Sequence, residues 1–278
     1  MFLGLDLKTW MGLTVLGAVV SAIGSLLGIV LKDYFFTRSF EQWKQQRTLE
    51  QIYEKFRDPL LLAANELASR AVEIIYRYTT AYLTESVLAS RPTRQVENSF
   101  DDPYFQRYKL ISTAYRLSAF LGWLELYRQE ITFLNSGNSE HAKALELVID
   151  HIRSDLADGQ LNKAEDWHEW KDNLVFREEL RAIGESMIET RGTARAVMGY
   201  GSYCEHFESQ SPNAVQRWSP VVMHFFLELQ SEGKDFRNIR LKRMIIHLID
   251  LLQLLDGSSI KPHLLEAQGK LSLEIKSP

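Results

Sequence analysis

Residues 11–31 read MGLTVLGAVVSAIGSLLGIVL, twenty-one positions without a charge or a proline. At about 1.5 Å per residue, a helix of that length covers the roughly 30 Å hydrocarbon core of a bilayer. Trp10 stands at one edge of the run, and Tyr34, Phe35 and Phe36 follow Lys32 at the other, the places where interfacial aromatic residues gather. A cleaved signal peptide has a shorter apolar core of about 7–15 residues and a small-x-small site, which is missing ahead of the charged stretch. A buried soluble helix of this length keeps a polar face. The expectation is therefore a retained transmembrane helix. Only Lys8 precedes it, whereas Lys32, Arg38, Lys44 and Arg47 follow it, so the positive-inside rule places the N-terminus outside and the bulk of the chain in the cytoplasm.

Within the run, Gly17, Ser21, Gly24 and Gly28 recur at i, i+4, i+7 and i+11 and fall in one stripe. Small residues let helices approach closely in lipid, where no hydrophobic drive pulls them together, so the stripe is a candidate packing surface between copies of the chain. Glycine is also common in membrane spans generally.

Outward from the span, the 278 residues carry 32 Lys and Arg against 36 Asp and Glu, a formal net charge of −4. With 45% apolar and 24% charged residues the chain has the make-up of a folded protein, which excludes a disordered or low-complexity one. The slight acidity excludes a globally basic nucleic-acid binder, and the single cysteine, Cys204, excludes an intrachain disulfide and a Cys-rich zinc module.

Apolar spacing beyond the span is helical throughout. Phe36 to Phe56 predicts a stalk, and Pro59 with Asp58 as its cap predicts the first turn of a new helix running to about Leu88. Ala89 to Pro103 reads as a loop. Helices are expected over Tyr104–Leu134, Ser139–Leu156, Trp167–Thr190, Asn213–Gln230 and Ile239–Leu255, with Asn135–Asn138 and Asp158-Gly159 as breaks. No alternating strand pattern of useful length and no repeat stands out. The predicted architecture is all-α: a short extracytoplasmic segment (1–10), a transmembrane helix (11–31), a helical stalk (32–56), a cytoplasmic helical bundle (57–256) and a C-terminal tail (257–278).

Four blocks, RDPLLLAANELASRAVEII (Arg57–Ile75), STAYRLSAFLGWLELYRQEITFL (Ser112–Leu134), FREELRAIGESMI (Phe176–Ile188) and RLKRMIIHLIDLLQLLD (Arg240–Asp256), together resemble a widespread and mostly uncharacterised bacterial family of single-pass, membrane-anchored helical proteins. The resemblance implies a bacterial inner-membrane location and brings almost no chemistry with it. In layout alone the chain is similar to the oligomeric channel effectors of anti-phage defence systems of the Hailong type. In those, a cytoplasmic helical domain senses a nucleic-acid signal and the membrane helices open.

Motifs for chemistry are sparse. His141, His151 and His168 lack metal-ligand spacing, HExxH is absent, and no phosphate loop or nucleophile elbow occurs, so no metal and no cofactor is expected. Cys204 and His206 stand only two positions apart, which suits a buried inert cysteine better than a catalytic pair. Arg240 and His247 match the loose R-x4-6-H spacing of HEPN ribonucleases, and equally the polar stripe of an amphipathic helix.

Regional charge says more. Lys234–Arg243 (KDFRNIRLKR) holds Lys234, Arg237, Arg240, Lys242 and Arg243 against one acid. Arg177, Arg181, Arg191 and Arg195 lead into a stretch punctuated by Gly192, Gly199 and Gly201, with Tyr200 and Tyr203 alongside. Cations contact phosphates and aromatic rings stack bases, so these residues are candidates for a nucleotide or single-stranded nucleic-acid site. The rival reading is an ordinary loop with solvated cations and core aromatics. Three functions follow: a homo-oligomeric, ligand-gated pore in membrane lipid, a membrane-tethered scaffold or receptor that conducts nothing, and a HEPN-like nuclease.

Overall fold

The computed structural model of the chain describes residues 7–32, 37–77, 88, 102–131, 140–158, 174–229 and 235–276. By internal contacts it divides into two units, Met1–Gln51 and Ile52–Pro278.

In the first unit, α1 spans Leu7–Leu31, and the stretch Lys8–Val30 is long and apolar enough to cross a membrane. Side chains over that whole stretch are exposed, apolar ones on every side. Its hydroxyls turn back onto their own helix: Thr14 Oγ1 donates to the Trp10 carbonyl at 2.6 Å and Ser25 Oγ to the Ser21 carbonyl at 2.9 Å. Such internal bonds hide polar groups where no water is available. Helix α2 spans Thr37–Arg77. In its first part the Phe40 and Trp43 rings stack at 5.9 Å, with the Arg47 guanidinium 5.2 Å from the Trp43 centroid. The aromatic residues Tyr34, Phe35 and Phe36 lie outside the described residues.

The second unit is mostly helical. After the remainder of α2 come α3 (Pro103–Ile131), α4 (Glu140–Ala157), α5 (Arg177–Ser186), a β1 (Ile188–Arg191) and β2 (Ala194–Val197) hairpin, α6 (Tyr200–Phe207), α7 (Ala214–Phe226), α8 (Phe236–Asp256) and α9 (Pro262–Lys276). Asn135–Asn138 and His168 lie outside the described residues. Helix α3 is the centre, with Leu110, Ala114, Leu117, Phe120 and Leu124 at 2% exposure or less. Its apolar residues are not confined to one stripe, as a helix walled in on several sides requires.

Three elements differ from the expectation. Pro59 sits inside α2 rather than at the start of a new helix. Phe56 (3% exposed) and Leu60 (1%) bracket it on one buried face. Burying two such side chains is worth about 1.5–3 kcal/mol each and offsets the roughly 3 kcal/mol cost of an interior proline. Asp58, the expected cap, instead accepts from Arg57 Nε at 3.0 Å.

The helix expected to reach Thr190 stops at Ser186 and gives way to the antiparallel hairpin, in register Ile188↔Val197 to Arg191↔Ala194. Gly192 turns it with φ +65°, a left-handed value that glycine adopts freely. The Met198 amide donates to the Met187 carbonyl at 2.8 Å, extending the ladder.

The residues expected to form a tail instead make α9, which packs on α8 with Leu264, Ala267 and Leu271 buried. Gln268 Nε2 donates to Asp250 Oδ1 at 2.7 Å, and Lys242 pairs with Glu274 at 2.9 Å.

Candidate anion-binding site

The cations expected to line one phosphate surface sit on four elements, and the fold has already committed several of them. Arg177, at the start of α5, reaches Asp150, Ser154 and Asp158 on α4 and just beyond it, at 2.8–3.2 Å. Those hydrogen bonds, the ones to Asp158 above all, raise the Arg177 pKa. Arg191 pairs with Glu189 at 2.9 Å. Arg237 pairs with Asp235 and donates to the carbonyls of His224 (2.8 Å) and Leu227 (2.6 Å), closing the C-terminus of α7. Lys234 lies outside the described residues.

Arg240 is 3% exposed. Its Nη1 donates to the Asp155 carbonyl at 2.8 Å and its Nη2 to the Asp158 carbonyl at 2.9 Å, so the guanidinium caps α4. A cation suits a helix C-terminus both as donor and as countercharge to the helix dipole. Burial pulls the Arg240 pKa down to about 10. His247, its partner in the R-x4-6-H spacing, binds the buried Asp155 through Nδ1 at 2.5 Å, and the His151 ring lies 5.0 Å from the His247 ring. Burial pushes the Asp155 carboxyl up, and the His247 hydrogen bond pulls against it. Arg243 is half-buried on the same helix.

The tyrosines are part of the core. Tyr203 is 1% exposed, shares a 2.9 Å hydrogen bond with Ser219 Oγ and stacks on Phe207, which leaves no face for a base. Tyr200, half-buried, meets Tyr108 and Tyr115 edge to face at 6.2 and 5.3 Å.

One of the expected residues, Arg195, is drawn through Gln129 toward a carboxylate that sequence reasoning passed over. Glu125 on α3 is 2% exposed. Arg128 binds it through Nε at 2.8 Å and Nη2 at 2.5 Å, and Gln129 Nε2 donates to it at 2.7 Å. Burial pushes the Glu125 carboxyl up, but the hydrogen bonds from Arg128 and Gln129 outweigh burial and hold it below the usual carboxylate range. Arg195, from β2, donates to Gln129 Oε1 at 2.6 Å. Arg153 of α4 completes the group, within electrostatic reach of Arg181, Glu125, Arg128 and Asp150. Burial, and then the neighbouring Arg181 charge, lower the Arg153 pKa.

Tight packing of α5 on α3 fixes this geometry. Gly184 faces the Leu121 carbonyl so closely that an added Cβ would lie 2.6 Å from the oxygen and 3.0 Å from Glu125 Cβ. Arg128 and Arg153 belong to no local charge run, and only the i, i+3 spacing of Glu125 and Arg128 hints at a pair.

Elsewhere, an open groove of about 430 Å³ separates α2 from α9, with Glu73 and Tyr76 on one wall and Lys261, His263 and Lys270 on the other. Among the described residues no group of His, Cys, Asp and Glu has the arrangement of a metal site. Compared with protein-family models, curated proteins and solved structures, the chain finds no match in any of the three.

Proposed function

We propose that the chain is a membrane-anchored effector that works as an assembly of copies in a bacterial inner membrane. Its N-terminus lies outside, and its cytoplasmic helices receive a nucleotide or oligonucleotide signal. The observation that carries this reading is α1, a single helix apolar on every side over Lys8–Val30. One helix per copy cannot line a water-filled path, so a conducting form requires several spans. Thr14 and Ser25 spend their hydroxyls on their own backbone, which suits a narrow apolar gate that closes by dewetting. The layout supports a place among the channel effectors of anti-phage defence. The ribonuclease alternative gains nothing from Arg240, whose guanidinium ends on backbone carbonyls.

The test lies in the stripe Gly17, Ser21, Gly24 and Gly28. In one chain a Cβ at Gly17, Gly24 or Gly28 would meet nothing within 4 Å, so a bulky residue there is felt only between copies. Induced expression is expected to depolarise the membrane, and Gly24→Leu or Gly28→Leu to abolish that while the protein stays in the carbonate-washed membrane fraction. Depolarisation unchanged by both substitutions removes the stripe from the mechanism. No depolarisation, with anchoring intact, leaves a tethered scaffold.

A further inference from the structure

The groove between α2 and α9 holds about 430 Å³, in the lower half of the roughly 300–1,000 Å³ span of small-molecule sites. Ser69, Val72, Glu73 and Tyr76 line it from α2 at i, i+3, i+4 and i+7, and residues from His263 to Lys270 repeat that spacing on α9. Its acids are already answered. Glu73 accepts from Lys109 Nζ and pairs with Arg70 Nε at 3.0 Å, and Glu266 pairs with Lys270 at 2.6 Å. Two of its basic side chains are not. Lys261, immediately before α9, and His263 are exposed, and their side chains meet no hydrogen-bond or ion-pair partner among the described residues. A cationic ligand would find each carboxylate of the groove already held, whereas an anion finds two open donor groups. An ammonium offers three N–H bonds, and an imidazole keeps one to offer in either charge state. Val72 and Ala267 add apolar surface, and Tyr76 presents a ring that is 37% exposed. Unlike the Tyr203 ring, enclosed in the core against Phe207, this one has room for a flat partner.

We infer that this groove binds one nucleotide unit, with its phosphate on Lys261 and His263 and its base against Tyr76. This deepens the signal-sensing reading and rests on it. Lys261 supplies charge-assisted bonds to phosphate oxygens, about twice as strong as neutral ones. An aromatic ring stacks any base, so the groove reads the class of ligand rather than the identity of the base. A ligand held by both walls fastens α9 to α2. The volume suits a single nucleotide, which a free mononucleotide or the 5′ end of a strand can each present.

The experiment titrates the full chain, in neutral detergent at low salt, with guanosine monophosphate by calorimetry and by thermal unfolding. Saturable binding is expected, with a melting temperature that rises with ligand concentration. Lys261→Gln and Tyr76→Leu are each expected to weaken binding by about tenfold or more, the scale of a lost charge-assisted bond and of a lost base stack. Tyr76→Phe, which keeps the ring, is expected to leave binding unchanged. So is Lys143→Gln, which removes an exposed charge from α4, away from the groove. Guanosine, which lacks the phosphate, should bind about tenfold more weakly or worse. If Tyr76→Leu fails to fold, Lys261→Gln decides the matter, because that residue is exposed and lies outside any helix. No saturable binding, or an affinity unchanged by Lys261→Gln, overturns the inference. Displacement of the monophosphate by a 5′-phosphorylated RNA trinucleotide that begins with guanosine assigns the groove to a strand end, and failure to displace it assigns the groove to a free nucleotide. Binding that Lys261→Gln weakens, in a chain that does not depolarise the membrane, strikes the channel reading alone. Depolarisation without nucleotide binding strikes this site alone.

Discussion

Two helical glycines should respond in opposite directions to the same added methyl group. At Gly184 the new Cβ would stand 2.6 Å from the Leu121 carbonyl oxygen and 3.0 Å from Glu125 Cβ. An oxygen fixed in the α3 backbone cannot swing aside as a side-chain tip can, so α5 must lift off α3 by several tenths of an ångström. Overpacking of that kind costs about 1–3 kcal/mol. Against it stands the helix propensity gained on replacing glycine by alanine, about 1 kcal/mol. The net expectation for Gly184→Ala is a loss of up to about 2 kcal/mol, which lowers the melting temperature by up to roughly 8 °C for a domain of this size. Gly269, exposed on α9 with nothing within 4 Å of an added Cβ, meets no such obstacle. Gly269→Ala should therefore stabilise by about 0.5–1 kcal/mol. Urea unfolding of the two full-length variants in one detergent, followed by far-ultraviolet circular dichroism, measures both. A Gly184→Ala protein stabilised as much as Gly269→Ala would show that α5 does not rest on the Leu121 carbonyl.

Two further outcomes are expected. Arg240→Met removes two charge-assisted bonds to the end of α4, worth about 1.5–3 kcal/mol each, and relieves a desolvation cost of about 3 kcal/mol; a net loss of up to about 3 kcal/mol in urea unfolding is expected, and a more stable variant would refute the capping role. Glu125→Gln should destabilise most near neutral pH. The folded-state pKa of Glu125 is depressed, so its carboxylate contributes stability above the ordinary glutamate value of about 4.3 and loses it as the pH falls through the lower folded value. The gap between parent and variant should accordingly close on acidification below about pH 4, and a gap independent of pH would exclude the charged pair.

What could be read in the sequence followed from how local each signal was. Met11–Leu31 declares itself because length and apolarity suffice, with no partner needed. The helices of the second unit were visible in their apolar spacing, as with Ala64, Leu67, Ala68 and Ala71, which turn up buried together. Arg240 was legible as a helical polar residue, but the Asp155 carbonyl it caps lies 85 positions away, and no local pattern encodes that. Pro59 misled because its cost is local whereas the compensating burial of Phe56 and Leu60 is tertiary. The hairpin escaped notice because four-residue strands such as Ile188–Arg191 are shorter than any alternation that can be counted. Arg128 is hinted at only by its i, i+3 spacing from Glu125, and nothing local ties Arg153, on another helix, to the same carboxylate.

The last helix has a practical bearing on how the protein is handled. Leu264 and Leu271 are fully enclosed, and Gln268 and Glu274 hold Asp250 and Lys242 from across the interface. A clone trimmed at Gly257, as one would trim a frayed end, would strip this cover from α8 and offer a greasy strip to the chaperones. Purification handles and fluorescent fusions belong after α9, and a shortened recombinant product that precipitates would be reporting a missing wall.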